Sequence, residues 1–361
     1  MEIGRLEDWR PGNRDCRLPT IVLSETKDLR LEIKRLGSTE LDVTPLGLGL
    51  AALGRPGYIN LGHAQDLSQA YAVGAMEAHA HIVLDAAWKA GVRYFDAARS
   101  YGRAEQFLGS WLHHRQIDPW AVTAGSKWGY TYTAGWEVDA DVHEVKEHSL
   151  AVLQRQIGES RALLGAHLDL YQIHSATLSS GVLENEPVLD ELARLREGGL
   201  YIGLTLSGAR QAETLERALQ VRRDGRCLFD TVQATWNLLE RSAGETLQKA
   251  HTEGLGIIIK EALANGRLTP RNEEPDFAPK MQLLREAAQS LETTIDALAL
   301  AVVLAQPWAD IALSGAATAE HLRSNVKAAK LQPDEGLLQA LEGLVEEPEA
   351  YWERRSDLKW N

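Results

Sequence analysis

Cysteine is nearly absent. The 361 residues hold two, Cys16 and Cys227, far apart and without metal-knuckle or redox-pair spacing, so neither a disulfide framework nor a thiolate metal site is expected. Basic charge is in deficit too. With 38 Lys and Arg against 51 Asp and Glu, the chain carries −13 at neutral pH; no basic stripe with interleaved aromatics offsets this, and nucleic acid is excluded as an expected partner. No stretch contains eighteen uncharged apolar residues, and Met1 to Arg10 is charged throughout, without an apolar h-region. Neither a membrane span nor a secretory signal is therefore expected, and the chain reads as cytoplasmic. Linkers rich in Pro, Gly or Ser, low-complexity tracts and internal repeats are also missing. The histidines show no ligand spacing, so no metal is expected.

What is present is alternation. From about Val43 onward short apolar runs alternate with longer amphipathic stretches, the pattern of strand–helix units around a parallel sheet. The runs are Val43 to Leu50, Tyr94 to Ala98, Ala121 to Lys127, Leu168 to His174, Ile202 to Leu206, Thr231 to Thr235, Leu255 to Lys260 and Asp310 to Ser314. Helical periodicity is expected over Glu144 to Leu164, Val188 to Glu197, Gln211 to Val221, Met281 to Ser290, Thr294 to Leu304, Ala319 to Lys330 and Leu337 to Val345. Such a series predicts an α/β fold, a (β/α)8 TIM barrel, as one domain over residues 31–361. Leu31 to Val43 alternates about a Gly-Ser turn and predicts an N-terminal β-hairpin that plugs one barrel end. Residues 1–30 form an N-terminal extension without a clear period.

Three of these strands end in groups that carry chemistry. The second closes on Asp96 and is followed five positions later by Tyr101-Gly102, the third closes on Lys127, and the fourth on His174. Barrel enzymes place their chemistry at the carboxyl ends of the strands, and neighbouring parallel strands bring such ends together. A free tyrosine, with a pKa of about 10, is a weak acid near neutrality. An adjacent ammonium is expected to lower that pKa and a carboxylate to hold the ammonium, which casts Asp96, Lys127 and Tyr101 as a proton-donating chain with His174 orienting a carbonyl oxygen. Taken singly, Asp96 is a helix cap, Lys127 a solvated lysine, His174 a rim histidine and Tyr101 a packed ring. What the four together lack is a hydride, which a reduced nicotinamide supplies. Trp128 and Trp236 follow strand ends and are candidate walls of a substrate pocket, with simple packing as the equal alternative. The run Gly47-Leu48-Gly49 to Gly54 suggests a dinucleotide fingerprint, but its third glycine is misplaced, and the doubly wound fold is rejected.

Over residues 31 to 330 the chain resembles the aldo-keto reductase superfamily. The resemblance rests on Phe95-Asp96 through Tyr101-Gly102, on Ser126-Lys127-Trp128-Gly129 and on Asp169 to His174 with its Gln-x-His ending. It implies a cofactor site, NADP (NADPH preferred over NADH), made by Gly49 beside Asp96, Thr205 on the fifth strand, Gln233 against the nicotinamide carboxamide, Lys260, Glu261 and Leu263 after the seventh strand, and Gly315, Ala316, Ala317, His321 and Asn325 at the adenosine end. Three departures stand out: Thr205-Leu206 where most members carry Ser-Asn, Lys260 where an aromatic often stacks on the nicotinamide, and His321 and Arg323 where many members place an arginine.

The expected activity is NAD(P)H-dependent interconversion of an aldehyde or ketone with its alcohol, the partner being a small-molecule carbonyl or sugar. Alternatives remain open: sugar (aldose) dehydrogenation by the same residues, a Schiff-base lyase using Lys127 or Lys260, or a non-catalytic cofactor-sensing subunit like the potassium-channel β subunits of the superfamily. Substrate identity, reaction direction and oligomeric state leave no mark in the sequence.

Overall fold

The structure, a computed structural model, describes residues 31–361; the extension expected over residues 1–30, with Cys16, lies outside them. Eight parallel strands close into a barrel: β1 (Leu46–Gly49), β2 (Tyr94–Asp96), β3 (Thr123–Trp128), β4 (Leu168–Ala176), β5 (Tyr201–Leu206), β6 (Thr231–Thr235), β7 (Gly256–Lys260) and β8 (Ile311–Ser314). The ring is sealed where β8 pairs with β1, Leu313 opposite Gly47 and Ser314 opposite Leu48. This is the (β/α)8 barrel expected from the alternation, and helices such as Val73–Lys89, Ala104–His114 and Leu150–Leu164 bury their apolar stripes against its outside.

Strand register sets the chemistry. Gly49 of β1 pairs with Asp96 of β2, Asp96 with Gly125 of β3, and Lys127 of β3 with Gln172 of β4, so neighbouring strands reach the carboxyl rim in step. The opposite end is closed by the expected hairpin, in which Lys34–Arg35 pairs antiparallel with Asp42–Val43. Its Leu36, Leu41 and Val43 pack with Tyr94, Leu170, Ile258 and Ile311 in a cluster inside the barrel. One end is thereby plugged with side chains, and chemistry is left to the other.

Two boundaries differ from the sequence expectation. The first barrel strand begins at Leu46 rather than Val43, because Val43 is used by the hairpin and Pro45, lacking an N–H, breaks the ladder between them. The helix expected from Glu144 starts only at Leu150, where Ser149 accepts from the Val152 amide as its cap. Glu144–Lys146 instead pairs antiparallel with Tyr130–Tyr132, a second hairpin that stands over the carboxyl rim. Its Lys146 ammonium donates to the Ser175 carbonyl at 2.7 Å. No single described helix is long and apolar enough to cross a membrane.

Candidate active site

The loop after β1 and the turn after β2 are locked together by two glycines. A Cβ on Gly54 would lie 2.2 Å from the Tyr101 carbonyl, and one on Gly102, whose φ is +58°, would lie 2.4 Å from the Gly54 carbonyl. Only hydrogen side chains permit that approach. The Arg103 amide then donates to the Gly54 carbonyl at 2.7 Å, and Tyr101 is held at the rim with Arg55 beside it.

Asp96, 2% exposed, is the hub. One carboxylate oxygen accepts from the Tyr94 hydroxyl at 3.1 Å, the Gln172 amide at 3.3 Å and the Gln233 amide at 3.0 Å. The other receives the Lys127 ammonium in a buried ion pair. Lys127 donates further to the Ala97 carbonyl at 2.8 Å and lies 3.4 Å from the Tyr101 hydroxyl, its Nζ 4.6 Å from the ring centre. Burial pushes the Lys127 pKa down, against the pull of Asp96. His174 stands edge-on to Tyr101, ring centres 5.5 Å apart, with Nδ1 3.4 Å from the Ser100 hydroxyl. Burial and then the charge of Lys127 drive its pKa well below the ordinary histidine value, so the imidazole is neutral at pH 7.

Tyr101 differs from the sequence argument in one respect. An adjacent ammonium was expected to lower its pKa, yet burial, followed by the nearby Asp96 charge, raises it above the ordinary phenol value. Burial and the Asp96 charge together outweigh the Lys127 ammonium 3.4 Å away, and the hydroxyl keeps its proton.

From this cluster a cleft of about 560 Å³ runs across the rim to Ser314, Gly315 and Asn325. Of the residues read from sequence, Asp96, Tyr101 and His174 line it, as do Gly49, Gln233, Lys260, Glu261, Leu263, Gly315, Ala316, His321 and Asn325; Lys127 lies buried behind Tyr101. Besides Lys127, four do not line it. Thr205 is wholly buried, its hydroxyl accepting from the Ser175 amide at 2.7 Å. The Ala317 carbonyl takes the His79 ring nitrogen at 2.6 Å. Trp128 is buried edge-on to His148, ring centres 5.5 Å apart, and Trp236 packs edge-on to Trp308 at 5.4 Å. For both indoles the packing alternative describes their place.

Lys260 donates to the Thr235 hydroxyl at 2.9 Å and lies 3.7 Å from Glu261; burial, with Arg355 and Lys127 adding to it against Glu261, lowers its pKa to about 8. Glu261 is gripped by the Arg355 guanidinium, whose Nε and Nη2 both donate to it. Burial works to raise the Glu261 pKa, but the Arg355 and Lys260 charges outweigh it and bring it to about 2.

Several lining residues carry no sequence signal, because distant segments bring them in. Arg55 and Tyr58 come from the β1 loop, Glu144 from the second hairpin, and Arg355 and Trp360 from the chain's far end. Asn361 and Tyr58 exchange backbone hydrogen bonds at 3.1 and 3.2 Å. Trp360 stacks flat on His143, ring centres 3.8 Å apart and planes 7° from parallel. At the other end Arg271 clasps Asp66 and lies 3.3 Å from His321, whereas Arg323 is not among the lining residues.

The cleft suits a dinucleotide. A Cβ built on Gly315 meets nothing within 4 Å and one on Gly49 meets only the Ser314 carbonyl at 3.7 Å, so bare backbone faces the space. The Asn265 side-chain oxygen is buried without a partner. The helix Ala319–Val326, capped by Thr318, opens just beyond Gly315 and offers a favourable end for phosphate. Asn325 and Ser314 fix this end, 2.8 Å apart.

A sequence profile described as "Aldo/keto reductase family" matches residues 45–346. Among curated relatives, an uncharacterized oxidoreductase of Bacillus subtilis, YqkF, is 24% identical over 82% of this chain and 90% of its own length. Pyridoxal 4-dehydrogenase of Microbacterium luteolum is 26% identical over 82% and 92% respectively, and D-threo-aldose 1-dehydrogenase of a Pseudomonas species is 26% identical over 66% and 73%. Among solved structures, the aldo-keto reductase AKR11C1 of Bacillus halodurans in its holo form shares the fold with a TM-score of 0.68 at 20% identity, covering 88% of this chain and 97% of that one.

Proposed function

The chain belongs to the aldo/keto reductase family of oxidoreductases, and from that premise we propose that it interconverts an aldehyde or ketone with its alcohol using NAD(P)H, with Tyr101 as proton donor. The observation that carries this is the contact of the Lys127 ammonium with the Tyr101 hydroxyl at 3.4 Å, backed by the Lys127–Asp96 ion pair.

When bound in the cleft, a reduced nicotinamide would supply the hydride. Gln233, the bare backbone at Gly49 and Gly315, and Ser314 with Asn325 are the residues to hold it. Tyr101, protonated because burial and Asp96 disfavour its phenolate, gives its proton to the carbonyl oxygen as that oxygen becomes an alkoxide. The Lys127 ammonium stabilises the phenolate left behind, and Asp96 keeps Lys127 in place. Neutral His174 donates a hydrogen bond to the same substrate oxygen and cannot supply a formal proton near neutrality. Tyr101 recovers its proton from solvent when product leaves. Preference for NADPH is supported by Arg271 and His321, which line the adenosine end.

The reverse direction, oxidation, is favoured by the names of two relatives, both dehydrogenases, one of them an aldose dehydrogenase; acting on a sugar hydroxyl, it uses the same residues with the proton moving to Tyr101. A panel of aldehydes, ketones and sugars followed by nicotinamide absorbance tests both directions. Absorbance that never changes, together with no NADPH or NADH uptake by fluorescence titration, overturns the reading.

A further inference from the structure

Arg55 is an unusual cation. It is 3% exposed, yet lines the cleft beside the proton donor. Its guanidinium carbon lies 5.2 Å from the Tyr101 ring centre, 5.1 Å from Tyr58 and 4.6 Å from Trp360, so aromatic faces replace its water on three sides. Only Nη1 is satisfied, donating to the Ser100 carbonyl at 3.1 Å and to the Glu144 carboxylate at 3.0 Å. Nε is buried without a partner, and among the described residues Nη2 has none. A desolvated guanidinium left this incompletely bonded is costly unless a ligand completes it.

The charge balance points the same way. Arg55, Lys127, Lys260 and Arg355 stand around the catalytic end against Asp96, Glu144 and Glu261, one positive charge in excess within a chain of net charge −13. Resting on the oxidoreductase reading above, we infer that Arg55 is a specificity residue for a carboxylate, and that the carbonyl substrate is a short oxo acid. The guanidinium fork is the group that recognises a planar anion, which a lysine ammonium does not match. The guanidinium carbon lies 5.2 Å from the Tyr101 ring centre, so a carbonyl at the Tyr101 hydroxyl and a carboxylate at Arg55 belong to one short molecule. Glu144, whose side chain is 25% exposed at the rim, is the competitor: its carboxylate holds Arg55 when substrate is absent and yields part of that contact when substrate binds.

The test compares 4-oxobutanoate with butanal, which differ by the carboxylate, as the ratio of their kcat/KM values. The native protein is expected to favour 4-oxobutanoate more than tenfold. Arg55→Met should lower the ratio about 50-fold, the loss of a charge-assisted contact. Glu144→Gln should raise it about fivefold by removing the competitor. A purely structural Arg55–Glu144 pair would instead move the ratio the same way in both variants, or not at all, and either result overturns the inference. Calorimetric titration of the full chain with butanoate and with butanamide gives a readout independent of turnover and of whether Arg55→Met folds. Butanoate is expected to bind at least tenfold more tightly, and equal affinities overturn the inference. If neither carbonyl nor any other is reduced, the oxidoreductase reading fails, and the calorimetry, repeated on Arg55→Lys, still decides the role of Arg55: a butanoate preference undiminished in that variant overturns it. If butanal is reduced and the carboxylate brings no gain, the substrate inference alone falls.

Discussion

Gln233 donates its side-chain amide to Asp96 at 3.0 Å, across a sequence separation of 137 residues. The cleft-lining amide of β6 and the carboxylate that holds Lys127 are therefore one network. Whatever bonds to Gln233 acts on the same carboxylate that holds Lys127, so under the proposed function cofactor uptake and proton transfer would be coupled through Asp96.

Under the proposed function, Tyr101→Phe removes the proton donor and little else. The Lys127–Asp96 pair and the cleft walls remain, so carbonyl reduction is expected to fall by roughly 10²–10⁴-fold, the usual contribution of a positioned acid. NADPH affinity should stay within a few-fold of native by fluorescence titration. A variant that keeps its native rate refutes the assigned role.

Gly315→Val probes the cofactor cradle without touching the chemistry. An added Cβ meets no protein atom within 4 Å, so thermal stability should hold, while the new side chain occupies space facing the cleft. NADPH affinity is expected to fall about tenfold or more, equivalent to at least ~1.4 kcal/mol. Unchanged affinity would move the cofactor away from β8.

Glu261→Gln breaks the grip of Arg355 on the seventh-strand loop. Removing one member of a buried pair leaves the other charge unmatched, and a loss of about 3 kcal/mol in unfolding free energy is expected by denaturant titration. Retained stability would mean that solvent already screens Arg355.

Acid sensitivity follows from buried histidines, His63 and His148 as well as His174. Burial lowers both His63 and His148 to about 4 from an ordinary 6.5. In the window between those values the unfolded chain binds the protons that the folded chain refuses, so stability is full above pH 6.5 and drains as pH falls towards 4, by up to roughly 3 kcal/mol per group. His63→Phe should flatten this decline relative to native in denaturant titrations at stepped pH. An identical decline in the variant would exclude His63 as a source.

The barrel was legible in the sequence because strand and helix periods are local, and because Asp96, Lys127 and His174 each end an apolar run. Their convergence required only that parallel neighbours share a rim. The second hairpin was not legible: Glu144 to Lys146 blends into the helical pattern that follows, and its partner, Tyr130 to Tyr132, lies beyond a loop whose path has no period. Thr205 lay on the right strand, but the register shift between β4 and β5 beyond Ile173, where Ser175 adopts φ +51°, gives its hydroxyl to a backbone amide. Arg55, Arg355 and Trp360 meet only through long-range packing, and no window along the chain holds them together.

The mutual backbone bonds of Tyr58 and Asn361 join positions 303 apart. On a ribosome, every barrel strand is synthesised before Trp360 and Asn361 can reach the β1 loop, and domains fold progressively as they emerge. A nascent chain with its cylinder already wound would still lack the Trp360 face over Arg55 and the Asn361 tie to Tyr58, so this wall of the cleft would be added only after the barrel.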